Sequence, residues 1–186
     1  MVTPTPSAAP TPSAAPTPSA SGTTPLEEEL LRLAGSVPDP ELPMVSLAEL
    51  GVMRGLRLLG PGRVEVELTP TYTGCPALES MATDIEQVLH DHGIPEVAVH
   101  TVLSPPWTTD AISAEGRRKL AESGIAPPAP RGATAADGPV PVALAVRCPH
   151  CGSTETELLS RFSSTACKAL RRCAACREPF DHFKEL

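Results

Sequence analysis

Four cysteines near the end of the chain form two matched pairs, and they constrain the fold more than any other feature. Cys148 pairs with Cys151 and Cys173 with Cys176, and 21 residues separate the two C-x-x-C turns. Each turn directs two thiolates at one ion, and two such turns at this spacing are typical of a tetrahedral zinc site. The spacing therefore predicts a zinc ribbon over residues 142–186 with these four cysteines as structural zinc ligands.

Metal is the preferred explanation of the cysteine pairs because so small a ribbon buries too little apolar surface to fold alone. Structural zinc supplies on the order of 10 kcal/mol or more. The alternative, two disulfides, requires an oxidising compartment. We find neither an export signal nor a stretch near the roughly 20 apolar residues of a membrane span. We therefore expect a cytoplasmic protein that binds zinc and no membrane, with a ligand shell too full to activate water or substrate.

Proline-rich segments divide the rest of the chain. Residues 1–25 repeat Thr-Pro-Ser-Ala-Ala-Pro and carry no charged or aromatic side chain. They have nothing to bury, so we expect a disordered tail that acts as a solubilising or spacer arm. Prolines and glycines recur over residues 126–141, which predicts an interdomain linker. Residues 26–125 lie between them and have the length of one ordinary domain.

The charge of the chain argues against a ribbon that binds nucleic acid. The formal net charge is −7, and the aromatic residues are three Phe, one Trp and one Tyr. Ribbons that bind single strands usually carry a basic stripe and stacking aromatics. We therefore expect no nucleic-acid partner and keep that function only as an alternative.

Hydrophobic periodicity predicts an α+β fold for the central domain. Apolar residues at helical spacing indicate helices that begin near Leu26, after Cys75 and after Ser113. Two runs flank residues 60–62, and the second alternates between apolar and acidic residues, which predicts a β-hairpin; a third strand follows over 97–103. The order α-β-β-α-β-α predicts a small sandwich with helices on one face of a three-stranded sheet.

Cys75 is the residue of the central domain best placed for chemistry. It precedes Pro76, and proline is favoured at the first position of a helix. A thiol at that point faces unpaired backbone N–H groups and the positive end of the helix dipole. Both favour the thiolate, which binds soft metals and attacks electrophiles. The alternative is a buried cysteine that packs the start of the helix.

Other candidate residues have two interpretations each. Asp39 and Glu41 lie in a proline-bounded loop and are either metal ligands or turn and capping residues. Cys167 is a spare thiol, and we favour a core position in the ribbon over a redox-sensitive surface group. The sequence contains no Gly-rich phosphate loop, Ser/His/Asp arrangement or H-E-x-x-H, so we expect no complete active site.

Several of these motifs resemble known families. Asp39-Pro40-Glu41, the hairpin and Thr73-Gly74-Cys75-Pro76 before a helix resemble the SufT-type iron–sulfur assembly domain. A longer series is similar to the D-subunit (also called J-subunit) family of the phenylacetyl-CoA epoxidases, and it comprises residues 104–110, 115–120, 124–128, 148–153, 164–169 and 176–184. Ala111 departs from that family, where we expect a large aromatic.

The resemblance implies a non-catalytic accessory subunit of the epoxidase system in aerobic phenylacetate degradation. Its partners would be a di-iron oxygenase subunit and an iron–sulfur flavin reductase, and its task the assembly or maintenance of an iron or iron–sulfur centre in one of them. Cys75 would then transfer iron or a cluster, with Asp39 and Glu41 as further candidates. The chain has neither the Glu and Glu-x-x-His helices of a di-iron site nor a dinucleotide-binding motif. The alternative is a purely structural adaptor or docking subunit.

Overall fold

The computed structural model describes residues 24–129 and 145–185. Nearly all of the predicted tail and most of the predicted linker lie outside the described residues. The helices are α1 (Pro25–Gly35), α2 (Leu47–Leu50), α3 (Leu78–Asp91) and α4 (Ala114–Glu122). The strands are β1 (Pro38–Asp39), β2 (Leu42–Ser46), β3 (Met53–Gly60), β4 (Arg63–Leu68), β5 (Glu96–Thr101), β6 (Ile125–Ala126), β7 (Thr156–Ser160), β8 (Lys168–Cys173) and β9 (Pro179–Phe183).

Helix α1 begins with a capping box that also ties it to the sheet. The Glu27 backbone N–H donates to Thr24 Oγ1 at 3.2 Å, and the Thr24 N–H donates to the Glu27 carboxylate at 2.8 Å. Pro25 follows the cap, where a helix needs no N–H donor. The second Glu27 oxygen accepts from the Leu58 N–H at 3.0 Å. The last two residues assigned to the tail therefore belong to the start of this helix.

The predicted three-stranded sheet is present in the order β3-β4-β5. β3 and β4 form the antiparallel hairpin, and β5 returns parallel to β4 after the α3 crossover. Val64, Val66 and Leu68 alternate along β4 and are buried. α1 and α3 pack against each other and against this sheet. The α+β class and the predicted hairpin are confirmed.

The predicted proline-bounded loop is instead a short β-hairpin. β1 pairs with β2, and Pro38 lies opposite Ser46. The Asp39 Oδ1 atom accepts the backbone N–H groups of Glu41 and Leu42, each at 2.8 Å. A carboxylate that satisfies two N–H groups within its own turn stabilises that turn without longer strands.

Helix α4 also departs from the predicted arrangement. It begins at the predicted cap, since Ser113 Oγ accepts the Gly116 N–H at 2.9 Å, but it packs against α2, β2 and β6. Gly116 permits this close approach, because a Cβ atom there would lie 2.8 Å from the Glu49 carbonyl oxygen. The absence of a side chain at Gly116 therefore allows α4 to lie beside α2. From the end of α4 the chain continues to the ribbon.

The ribbon is a four-stranded sheet in the order β6-β9-β8-β7. β7, β8 and β9 pair antiparallel, whereas β6 comes from the end of the central domain and pairs parallel with β9. The predicted domain boundaries stay predictions, but the ribbon sheet includes a strand that ends at the first residue of the predicted linker. A single pleated surface therefore connects the two predicted domains.

Aromatic packing fixes the ribbon against the central domain. The rings of Trp107 and Phe183 are 5.9 Å apart at their centroids, and the Trp107 indole N–H donates to the Leu50 carbonyl at 3.0 Å. Phe183 and Cys167 belong to the same hydrophobic cluster as the central domain. Burial of a Phe side chain contributes roughly 2–3 kcal/mol, so this contact stabilises the docked arrangement. None of the described helices combines the length and apolar character required to cross a membrane.

Candidate functional site

The four paired cysteines form one compact group, which we call the ribbon cluster (Cys148, Cys151, Cys173 and Cys176). Cys148 Sγ lies 3.8 Å from Cys176 Sγ, and Cys151 Sγ lies 3.5 Å from Cys173 Sγ. All four sulfurs lie within 4.8 Å of one another. A tetrahedron with Zn–S bonds of about 2.3 Å has S···S edges of about 3.8 Å. The donor set and its spacing therefore fit a tetrahedral metal site.

Matching backbone hydrogen bonds build the two halves of the ribbon cluster. The Gly152 N–H donates to the Cys148 carbonyl at 2.9 Å, and the Arg177 N–H donates to the Cys173 carbonyl at 3.0 Å. Each of these two residues follows its C-x-x-C turn and has a positive φ, 77° for Gly152 and 66° for Arg177. The two turns are therefore near copies of each other, which explains why four sulfurs converge on one point.

Backbone donors also prepare the cluster for a cation. The Cys176 backbone N–H donates to the Cys173 sulfur and lowers the pKa of that thiol to about 6. This donor favours the thiolate of Cys173, the form that binds metal. The sequence-based assignment of these four residues as zinc ligands stays a prediction, and the structure meets its geometric requirement.

A second site lies where the central domain meets the ribbon, and we call it the interdomain cavity. Its volume is about 10 Å³, close to the space that one water molecule needs. Its lining includes Glu41, Thr71, Tyr72, Cys75 and Pro76 from the central domain and Cys167 from the ribbon. Two thiols outside the ribbon cluster thus meet at one cavity.

Cys75 lies in a turn before α3 and not at the first turn of the helix. Its N–H donates to the Tyr72 carbonyl at 3.1 Å, and Gly74 has a φ of 88°, which favours glycine. α3 begins only at Leu78, with Ala77 as its N-cap. The prediction that Pro76 occupies the first helical position is wrong, because this turn delays the start of the helix.

The electrostatic environment of Cys75 also differs from the prediction. Burial raises the pKa of the Cys75 thiol, the Ala77 N–H opposes this shift, and the charges of Glu41 and Asp39 add to it. The expected stabilisation of a free thiolate is therefore wrong. One backbone donor does not outweigh burial next to two carboxylates, so the neutral thiol of Cys75 is favoured over the thiolate.

Cys167 occupies the core position that the sequence favoured, and it also faces the interdomain cavity. It is 5% exposed, and burial raises the pKa of its thiol. Its sulfur lies 3.1 Å from the Thr165 hydroxyl, and its carbonyl accepts the Lys184 N–H at 2.9 Å. Sequence reasoning did not bring it together with Cys75; the only signal was a cysteine left over after the two pairs were assigned.

The two acidic candidates have different environments. Asp39 is 3% exposed, and its Oδ1 atom is committed to the turn described above, so it has a clear structural role. Burial raises its pKa. Glu41 lines the interdomain cavity, and its carboxylate has no hydrogen-bond or salt-bridge partner within residues 24–129 and 145–185. Glu41 is therefore the carboxylate free to meet a ligand in the cavity.

A buried lysine completes the surroundings of the cavity. Lys168 is 5% exposed, and its Nζ atom lies 3.1 Å from Asp181 Oδ2. Its charge lowers the pKa of Asp39 and Glu41, but burial outweighs this effect in both. Lys168 therefore acts on three carboxylates, those of Asp39, Glu41 and Asp181, and its single charge offsets only part of their negative charge.

The fold and the two cysteine sites define a protein class: an iron–sulfur assembly-type α+β domain joined to a cysteine-rich ribbon. Residues 27–104 match a family model described as iron–sulfur cluster assembly protein, and residues 133–184 match one described as PaaD zinc beta ribbon domain. The chain is 44% identical over 160 residues to the D-subunit of the 1,2-phenylacetyl-CoA epoxidase of Escherichia coli (strain K12), a match that covers 86% of this chain and 93% of that protein. The chain therefore belongs to the D-subunit family of the 1,2-phenylacetyl-CoA epoxidases.

Two further relatives each match about half of the chain. An Fe-S protein maturation auxiliary factor of Porphyromonas gingivalis (strain ATCC BAA-308 / W83) is 30% identical over 50% of this chain and 90% of its own length. The Fe-S protein maturation auxiliary factor YitW of Bacillus subtilis (strain 168) is 33% identical over 47% of this chain and 86% of its own length. Both resemblances inferred from the sequence are confirmed.

Proposed function

We propose that the chain is a non-catalytic accessory subunit of the phenylacetyl-CoA epoxidase system that assists the assembly or maintenance of an iron or iron–sulfur centre in a partner subunit. The clients would be the di-iron oxygenase and the iron–sulfur flavin reductase, in the cytoplasm. The relatives are named as an epoxidase subunit and as maturation auxiliary factors. These names support an accessory role in the degradation of phenylacetate.

The observation that carries the proposal is the position of Cys75. This thiol lines a cavity of ion size beside the unpartnered carboxylate of Glu41, within the part of the chain that matches the iron–sulfur assembly model. Thiolates suit iron and iron–sulfur clusters, and a site with few protein ligands leaves positions for a client. The cavity therefore has the chemistry of a transfer site.

The ribbon cluster would hold zinc as a resident structural ion. Its four thiolates fill a tetrahedral shell, so zinc there supplies folding free energy and leaves no position for water or substrate. The ribbon would then hold the Phe183 side chain against the central domain. In this proposal the ribbon cluster stabilises the fold, and the interdomain cavity transfers iron or a cluster.

Replacement of Cys75 in cells that use the whole epoxidase tests the proposal. Cys75→Ser should leave the zinc content of the purified chain unchanged, whereas the partner subunit isolated from the same cells should contain markedly less iron or cluster. Ser80→Ala, an exposed change on α3, is the matched control and should leave the iron of the partner at the wild-type level. Normal iron in the partner subunit of the Cys75→Ser strain would contradict the proposal.

A structural adaptor is the alternative function, and one surface favours it. Leu158, Leu159 and Phe162 of the ribbon are 48%, 48% and 61% exposed, which is unusual for side chains of this size and type. An adaptor would tolerate Cys75→Ser with full epoxidase activity. It would instead lose co-purification with its partners after Leu158→Ser and Phe162→Ser.

A further inference from the structure

Strand β7 is a free edge of the ribbon sheet. The strand order is β6-β9-β8-β7, so β6, which comes from the end of the central domain, lies at the opposite edge. Within the described part of the chain β7 pairs with β8 alone, and no strand lies along its outer side. An open row of backbone N–H and C=O groups is a template for a further strand.

This edge is also apolar, which is unusual for an unpaired strand. Leu158 lies at the centre of β7 and Leu159 follows it, and each is 48% exposed. Natural edge strands carry charges, prolines or bulges that discourage pairing, and β7 has one register shift, between Leu158 and Ser160. The shift limits the length of a pairing but leaves two large apolar side chains in solvent. The edge therefore suits a short pairing in which leucines supply most of the contact.

The charges that flank β7 are opposite in sign and unpaired. Glu155 lies three residues before Leu158, and Arg161 lies three residues after it. Both are exposed, and neither side chain has a hydrogen-bond or ion-pair partner among the described residues. Glu157 differs, because the Arg172 guanidinium donates to its carboxylate at 2.7 Å. A partner strand must therefore present a basic group opposite Glu155 and an acidic group opposite Arg161.

A second copy of β7, running in the opposite direction, meets both requirements. In an antiparallel pair centred on Leu158, residues equally far from the centre lie opposite each other. Leu158 then faces Leu158 of the second copy, and Glu155 of each copy faces Arg161 of the other. We propose that β7 is the interface of a two-fold symmetric homodimer in which two ribbon sheets join edge to edge. Such an interface is isologous, so each favourable pair occurs twice.

The homodimer goes beyond the proposed function and leaves its site intact. None of the residues that line the interdomain cavity belongs to β7, so each copy keeps its own cavity for a client. A pairing of two five-residue strands buries little surface, and small interfaces are weak. We therefore expect monomer and dimer to exchange, with a dissociation constant on the order of 10 µM.

Sedimentation velocity of the zinc-loaded full chain, at concentrations on both sides of this constant, tests the interface. Wild-type chain should shift from monomer to dimer. Glu155→Arg and Arg161→Glu each replace two attractive pairs by two repulsive ones, so each should weaken the dimer at least about tenfold. The double variant Glu155→Arg/Arg161→Glu restores opposite charges and should return to within about threefold of wild type. Glu29→Arg, the same change of charge at an exposed position of α1, is the matched control.

Three results would overturn the proposal. A wild-type chain that stays monomeric has no self-pairing edge, and loss of co-purification with an epoxidase subunit in Leu158→Ser would then assign the edge to that subunit. A dimer that both single variants leave unchanged is formed by another surface. A double variant as weak as the single variants would contradict the register. The proposed function has a separate readout, the iron content of the partner subunit.

Hydrogen exchange tests the edge pairing in the wild-type chain without substitutions. Backbone amides of residues 156–160 should exchange more slowly at concentrations where the dimer forms than at those where the monomer dominates. Strand β5 is also an edge strand, and its amides should exchange at the same rate at both concentrations. No slowing in β7, or equal slowing in β5 and β7, would contradict the pairing of two β7 edges.

Discussion

The ribbon cluster and the interdomain cavity both contain cysteine thiols, but the two sites place these thiols in opposite electrostatic environments. In the ribbon cluster four sulfurs lie within 4.8 Å of one another, and backbone N–H groups lower the pKa of Cys173. In the cavity two thiols share a space with a carboxylate, and burial raises the pKa of both. The first site has the geometry of a site that keeps an ion, whereas the proposed function requires the second to accept an ion and release it.

The difference teaches that coordination number and backbone support, more than the presence of cysteine, decide what a thiol site does. A complete shell of thiolates supported by local turns converts metal affinity into folding free energy. An incomplete shell formed by two separate elements keeps little of that energy and leaves a position open. The docked ribbon joins the two sites physically, because Phe183 and Cys167 share one core with the central domain.

The largest effect should follow from a change in the ribbon cluster. Cys176→Ser removes one of four ligands, and structural zinc contributes on the order of 10 kcal/mol. Zinc content should fall from about one ion per chain to near zero, and residues beyond 145 should become sensitive to protease. Metal analysis and limited proteolysis measure both. Cys75→Ser is the matched change at the other site and should retain full zinc; loss of zinc in that variant would break the distinction between the sites.

Loss of the aromatic contact should weaken the docking of the ribbon on the central domain without changing any residue of either site. Trp107→Ala removes the ring that packs on Phe183 and the indole donor to Leu50, so we expect a loss of about 3–5 kcal/mol in unfolding free energy. The ribbon zinc should remain, whereas the buried Cys167 thiol should become accessible to alkylation. Phe162→Ala, at an exposed ring whose main contact is Lys184 Nζ at 4.6 Å from its centroid, should cost no more than about 1 kcal/mol. Unchanged protection of Cys167 from alkylation in Trp107→Ala would show that the cavity does not depend on docking.

Two substitutions of Asp39 separate its role as a hydrogen-bond acceptor in the turn from the effect of its buried charge on stability. Asp39→Ala leaves the N–H groups of Glu41 and Leu42 without their acceptor, so unfolding free energy should fall by about 1–3 kcal/mol. Asp39→Asn keeps an Oδ1 acceptor and removes the charge. Burial raises the pKa of Asp39. The folded wild-type chain therefore loses stability as the pH rises through that pKa and the buried carboxyl ionises.

The Asp39→Asn chain should accordingly be at least as stable as wild type at pH 7. The difference should vanish below about pH 4, where the wild-type carboxyl is protonated. Urea unfolding at several pH values measures it. A wild-type chain that is more stable than Asp39→Asn at pH 7 would mean that the ionised carboxylate is stabilising.

The smallest effect concerns the asymmetry of the two ribbon turns. Arg177 has a φ of 66°, whereas the equivalent residue in the other turn is Gly152. A non-glycine residue in this conformation costs about 1–2 kcal/mol. Replacement by glycine removes this cost, but part of the gain is lost because glycine raises the entropy of the unfolded chain. Arg177→Gly should therefore tighten zinc by up to about 1 kcal/mol, and Gly152→Ala should weaken it by about 1 kcal/mol. Competition with a chelator measures both, and shifts of the same sign would refute the strain argument.

Local patterns explain why much of the molecule was predictable from the sequence. The ribbon cluster depends on two turns whose ligands are three residues apart, so spacing alone encodes it. The hairpin of β3 and β4 and the helices α1, α3 and α4 follow from periodicity and capping residues. The β1–β2 hairpin was missed because β1 has only two residues and leaves no alternation, and its turn depends on a single carboxylate, Asp39.

The interdomain cavity was out of reach because it depends on contacts between distant segments. Cys75 was identified as a candidate, but its neighbour Cys167 could be found only after the ribbon was docked through β6 and Phe183. The pKa of Cys75 was mispredicted for the same reason, since burial and the carboxylate of Glu41 come from tertiary packing. Sequence encodes residues that share a turn far better than residues that share only an interface.

The most direct test of the division between the two sites is the rate at which each releases metal. Wild-type chain with zinc in the ribbon and Fe(II) in the cavity, held without oxygen, is mixed with excess chelator, and both metals are followed over time. We predict that about one iron leaves rapidly while the zinc stays bound, and that the iron phase is absent in Cys75→Ser. Release of both metals at one common rate, or an iron phase that persists in Cys75→Ser, would contradict the account.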